Sequence, residues 1–149
     1  MSAAMTPSAQ KLFMAIAVLA LAGVVVSSVA LRNHYAKDKS SFCDFSESFN
    51  CDVVNRSQYS VVVGIPVALI GMLGYAALFG LSTFSRGNDE TPTLLLAAAV
   101  PGLAFALYLT YVEGFILSAW CILCLSSLAF ISAITILSAV LLIQSRRDA

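Results

Sequence analysis

The sequence predicts an all-α integral membrane protein: a four-transmembrane-helix bundle with a long extracytoplasmic loop between helices 1 and 2. Composition is the first reason, since 60% of the 149 residues are hydrophobic and only 11% are charged, whereas soluble domains have roughly half and a quarter. Mean hydropathy is accordingly high, at +0.91. The second reason is patterning. Four runs without Asp, Glu, Lys or Arg, at 12–31, 57–85, 91–112 and 114–145, can each cross a hydrocarbon core of about 30 Å as a helix. An α-helix is the open-ended element that satisfies its own backbone in lipid. A chain of this length supports one domain, 1–149.

Taken in order, the helices are expected at about 12–31, 59–84, 93–112 and 116–143, with the polar loop 32–58 between the first two. Lys11 and the small residues Ser28-Val29-Ala30 give the first run some features of a cleavable leader. Its length exceeds the roughly 7–15 apolar residues of such a segment, so a retained helix is expected. The second and third helices are joined by a short polar stretch around Arg86–Glu90, and the third and fourth by a tight, water-facing turn at Glu113-Gly114, where Glu113 reads as a solvated turn residue ahead of the competing reading of a proton donor. Pro66, Pro101 and the Gly71–Gly74 pair read as devices for bending and close packing. His34 is expected to face solvent.

Four crossings place the first and third connections on the same side. Lys/Arg counting does not say which side, because Arg32, Lys37, Lys39 and Arg56 balance Lys11, Arg86, Arg146 and Arg147. The formal net charge is zero and no basic run exceeds Arg146–Arg147, which excludes a nucleic-acid footprint.

The four cysteines carry the chemistry. Cys43 and Cys51 lie in the polar loop, and Cys121-Ile-Leu-Cys124 opens the fourth helix, so all four sulfurs belong to one membrane surface. Cysteines at i and i+3 share a helix face and can bridge with modest adjustment. A helix N-terminus favours the thiolate that attacks disulfides. Trp120 is an interface residue that sets the depth of the pair. Redox chemistry, a purely structural disulfide and a zinc site with four cysteine ligands are the competing readings. Zinc ranks last because the only histidine, His34, is distant in sequence from both pairs. Durable disulfides belong to oxidising compartments, which places the cysteines on the periplasmic side and both termini in the cytoplasm.

The spaced pair Cys43 and Cys51, Ser57 beyond it, the segments Gly64-Ile-Pro-Val-Ala-Leu-Ile-Gly-Met-Leu-Gly-Tyr75 and Tyr111-Val-Glu-Gly-Phe-Ile-Leu-Ser-Ala-Trp-Cys121, and the closing Cys121–Cys124 pair together resemble the vitamin K epoxide reductase family. The resemblance runs from the first helix to the last. It implies that Cys43 meets a protein partner, Cys51 exchanges with Cys121, and Cys124 reduces a quinone, with Ser57 beside the quinone site. A helix N-cap is the competing reading of Ser57.

The function so implied is that of a quinone-coupled thiol–disulfide oxidoreductase in the inner membrane. It would reoxidise a DsbA-like, thioredoxin-fold protein and reduce ubiquinone or menaquinone, without a metal. Val67 and Leu128 stand where animal members of the family carry an asparagine and a tyrosine that bind the vitamin, which weakens the alternative of vitamin K epoxide reduction. Many bacterial members carry a fused thioredoxin-like domain after the last helix. With the chain ending at Ala149, the partner is expected to be a separate protein. A non-enzymatic membrane protein braced by a Cys43–Cys51 bridge is the alternative from another class.

Overall fold

A computed structural model describes residues 6–35, 58, 61–85 and 87–147. Within them lie four long helices: α1 (Pro7–Tyr35), α2 (Val67–Phe84), α3 (Thr91–Tyr111) and α4 (Ile122–Arg147). A π-helical turn, Val112–Leu117, prolongs α3, and a minimal hairpin, β1 (Val61–Val62) with β2 (Ile65–Pro66), precedes α2. All four helices are long and apolar enough to cross a membrane, with the third span running Thr91–Leu117. The expected all-α membrane bundle is therefore the observed architecture.

α1 shows how the sequence sorts its faces. Phe13, Ile16, Ala20, Gly23, Ser27 and Ala30 are buried at helical spacing, while Met14, Val18, Leu21 and Val25 point outward. The inner stripe is mostly small and the outer one large and apolar. That arrangement suits a helix whose exterior meets lipid and whose interior must approach neighbouring backbones closely. α1 packs most extensively against α2 and also against α4, α3 packs against α4, and of the neighbouring helices α2 and α3 touch least.

The middle of the bundle is clamped by Tyr75. A Cβ at Gly23 would overlap its ring, so the missing side chain on α1 is the notch that admits it. The Tyr75 hydroxyl reaches Ser127 of α4, lying 2.7 Å from its carbonyl oxygen and 2.8 Å from its Oγ. One side chain from α2 thereby ties α1 to α4.

Three expectations are corrected. α2 begins at Val67, later than the apolar run from residue 57 implied, because Val63 (φ 53°) and Gly64 (φ 81°) form a two-residue turn with positive φ at both positions. Such a turn matches the twist of a hairpin. It pairs Val61 with Pro66 and Val62 with Ile65, and Pro66 at ψ 135° is extended, holding the chain out of helix until Val67. Second, Glu113 and Gly114 lie within the π-turn, and the crossover to α4 falls at residues 118–121. Third, the expected packing role holds for Gly71, where a Cβ would stand 3.1 Å from Ser27 Oγ, but Gly74 has nothing within 4 Å. Pro66 starts a helix and does not bend one.

Candidate functional site: a dithiol at the mouth of a lipophilic cavity

The bundle has two chemically distinct ends. Ser8 and Gln144 meet at one, 3.4 Å apart. At the other, the C-terminal end of α1, the N-terminal end of α2, the π-turn and the start of α4 converge on one cavity. Both cysteines among the described residues belong to this second end.

Because α4 starts at Ile122 and not near residue 116 as expected, the Cys-x-x-Cys pair occupies the helix mouth itself. The Cys121 carbonyl accepts the first helical hydrogen bond, from Leu125 N–H at 3.0 Å, which makes Cys121 the residue that caps the helix. Its sulfur interacts with the Cys124 thiol and with the backbone N–H groups of Cys124 and Leu123. Backbone donors and the helix dipole together favour negative charge at such a sulfur. Cys121 is completely buried and Cys124 partly so, and they are not bridged to each other.

The approach to the helix mouth is shaped by Glu113. Its backbone carbonyl accepts hydrogen bonds from Ser118 N–H and, at 3.1 Å, from Ala119 N–H. Ser118 adopts a left-handed conformation (φ 53°) to close the π-turn. The side chain then reaches forward, and Oε2 accepts the Cys121 N–H at 3.2 Å. The Trp120 ring rests on Gly114, where a Cβ would come within 3.0 Å. Glu113 is therefore buried, with 1% of its surface exposed, and the expectation of a solvated turn residue is overturned. The Cys124 thiol also lies close enough to interact with the carboxyl, yet Oε1 makes no well-aligned hydrogen bond among the described residues.

The cavity that these groups face has a volume of about 290 Å³. Its walls come from all four helices: Ala30 and His34 of α1, Gly71 and Gly74 of α2, Gly102 and Phe105 of α3, Cys124 and Ile131 of α4. Small residues make the room, especially along the weakly joined α2–α3 seam. Cys124 and Glu113 stand at one end, and Ile131, seven residues further along α4, marks a depth of about 10 Å. A space near 300 Å³ is at the lower end of ordinary ligand sites, enough for a flat ring whose apolar tail continues into lipid. His34 lines this cavity and packs edge-on against Tyr35 at 5.0 Å between ring centroids, which corrects its assignment to bulk solvent.

Cys43, Cys51 and Ser57 fall outside the described residues. Cys121 and Cys124 are brought together. Glu113 is the residue that sequence reasoning undervalued, although a signal existed: it is the only charged residue between positions 91 and 145, and an ionisable group inside a membrane span is a functional-site candidate by default. Among the described residues no cluster of three His, Cys, Asp or Glu side chains is arranged to hold a metal.

A four-helix membrane bundle with two neighbouring cysteines at the mouth of a lipophilic cavity defines the class: a helical membrane protein with a cavity-facing cysteine pair. The sequence model of the Vitamin K epoxide reductase family matches residues 14–139, most of the chain, and the protein belongs to that family. It is accordingly a membrane oxidoreductase of that type, in a family that generally works with quinones and thioredoxin-like partners.

Proposed function

We propose that the protein is a quinone-coupled thiol–disulfide oxidoreductase that reoxidises a DsbA-like thioredoxin-fold protein and thereby supports disulfide bond formation. The observation that carries this reading is the placement of Cys124, which lines the cavity while contacting Cys121 at the helix mouth. Two electrons move in each turnover. The partner's dithiol becomes a disulfide as the Cys43–Cys51 disulfide is reduced. Cys51 then exchanges with Cys121 through a mixed disulfide, leaving Cys121 and Cys124 as thiols. Their re-oxidation to one disulfide delivers two electrons and two protons to ubiquinone or menaquinone, which leaves as quinol.

The residues fit this acceptor class. The cavity is mostly apolar, with Glu113 and Cys124 at one end and Tyr75 and Ser127 deeper in its wall, and Ser57 is the residue we assign near the quinone's oxygen. Val67 on the cavity wall offers no hydrogen bond, which supports plain quinone reduction over epoxide reduction. Disulfide exchange needs an oxidising compartment, so the helix-mouth end faces the periplasm and both termini face the cytoplasm in a plasma-membrane protein.

The test is quinol formation by the detergent-purified chain supplied with a reduced thioredoxin-fold protein. Activity is expected from the parent and lost in Cys124→Ala and Cys121→Ala. Cys43→Ala is expected to lose turnover with the protein donor and keep it with dithiothreitol, which bypasses the loop pair. Equal quinol formation by Cys121→Ala and the parent would contradict the proposed electron path.

A further inference from the structure

Withdrawing a carboxyl group from water is costly unless its oxygens are satisfied, so one that keeps an unsatisfied oxygen inside a membrane protein is a functional-site candidate. Glu113 is 1% exposed, and only one of its oxygens is conventionally used. Oε2 holds the Cys121 N–H at 3.2 Å. Oε1 has no well-aligned hydrogen bond among the described residues, in a residue that lines the cavity and interacts with the Cys124 thiol. A neutral side chain would serve as well if the task were only to accept one backbone N–H. What a carboxyl adds is the ability to take up a proton and release it again.

Building on the function proposed above, we infer that Glu113 is a catalytic proton relay between the Cys121–Cys124 dithiol and the quinone in the cavity. Oxidation of the dithiol forms one S–S bond and releases two electrons and two protons. Glu113, as carboxylate, accepts the proton of Cys124 and passes it to the quinone oxygen beside it, returning to carboxylate. The proton of Cys121 leaves to the aqueous face at the helix mouth, and an equivalent proton from that face completes the quinol. Electrons and protons then balance with Glu113 unchanged. The same carboxyl, through Oε2, keeps Cys121 in register with Cys124 while this occurs.

The test uses the full chain in detergent, reduced with dithiothreitol, freed of reductant and mixed anaerobically with a short-chain ubiquinone for a single turnover. Glu113→Gln retains an oxygen for the Cys121 N–H but cannot carry a proton, so quinol formation is expected to slow at least about 10²-fold. Glu113→Asp keeps the acid but withdraws it by one methylene, and an intermediate loss of about tenfold is expected. A Glu113→Gln rate within about twofold of the parent overturns the relay and leaves the function standing. No quinol from the parent overturns both.

A second readout needs neither quinone nor the glutamine variant. Infrared difference spectra between the dithiol and disulfide forms of the parent, the latter prepared with a water-soluble disulfide, are expected to show a carboxylate band that shifts as the Cys124 thiol beside it is consumed, and that is displaced in Glu113→Asp. A silent carboxyl region in the parent overturns the inference.

Discussion

Between α2 and α3 the chain reverses on neutral groups: Asn88 N–H donates to Ser85 O at 3.0 Å, Thr91 N–H to Asn88 O at 3.2 Å, and the buried Thr91 hydroxyl also bonds Ser85 O. Its two acids, Asp89 and Glu90, are exposed. Between α3 and α4 the same reversal is made with a π-turn, a left-handed Ser118 and a buried Glu113 that bonds from both its backbone and its side chain. Each connection joins antiparallel neighbours over a few residues, so topology alone does not call for a buried acid. The second turn places an ionisable group against two thiols, where the first leaves its acids exposed.

The sharpest way to break this comparison is to remove the acid from each turn. Glu113→Ala strips the acceptor from the Cys121 N–H, so hydrogen exchange at that amide is expected to accelerate and single-turnover quinol formation to fall at least about 10²-fold. Glu90→Ala is expected to change neither, since an exposed acid contributes within about 0.5 kcal/mol of nothing. Similar outcomes for the two variants would mean that the turns differ only in appearance.

A smaller effect separates the clamp that supports the helix mouth from the cavity beside it. Gly23→Ala pushes a methyl into the Tyr75 ring and is expected to cost about 1–3 kcal/mol, as overpacking does, read as a lower melting temperature in detergent. Gly74→Ala meets nothing within 4 Å, so stability is expected to hold while the KM for a short-chain ubiquinone rises by up to about tenfold. Reversal of the two results would relocate the quinone site.

The smallest effect sharpens the neutral turn. Thr91→Val keeps shape but loses the hydroxyl bond to Ser85 O, for an expected loss of about 1 kcal/mol and no change in quinol formation. A change in quinol formation would show that the two turns are coupled.

Much of this was legible in the residues. Four uncharged runs announced four spans, because a bilayer demands length and apolarity and little else. The Cys121–Cys124 pair announced itself by helical spacing. What was hidden depended on backbone geometry. Glu113 beside Gly114 reads as a water-facing turn, and only the π-turn, which moves the crossover to residues 118–121, carries its side chain back beneath Cys121. The start of α2 was missed because Val63 at positive φ runs against the preference of a β-branched residue, so the hairpin ahead of Pro66 had only Gly64 as a signal. His34 was assigned to solvent because Arg32 looked like the end of a helix that in fact continues to Tyr35. Gly74 looked like a packing residue because sequence does not distinguish a glycine that admits a neighbour from one that leaves space.

In the function proposed above, the helix-mouth dithiol gives its electrons to an acceptor in the adjoining cavity. The most direct measurement is stoichiometry: the pre-reduced parent is mixed anaerobically with short-chain ubiquinone, and quinol and disulfides are quantified together by absorbance and nonreducing peptide mapping. Early in the reaction the account predicts one quinol for each Cys121–Cys124 disulfide formed. Quinol accumulating while neither a Cys121–Cys124 nor a Cys43–Cys51 disulfide forms would contradict it.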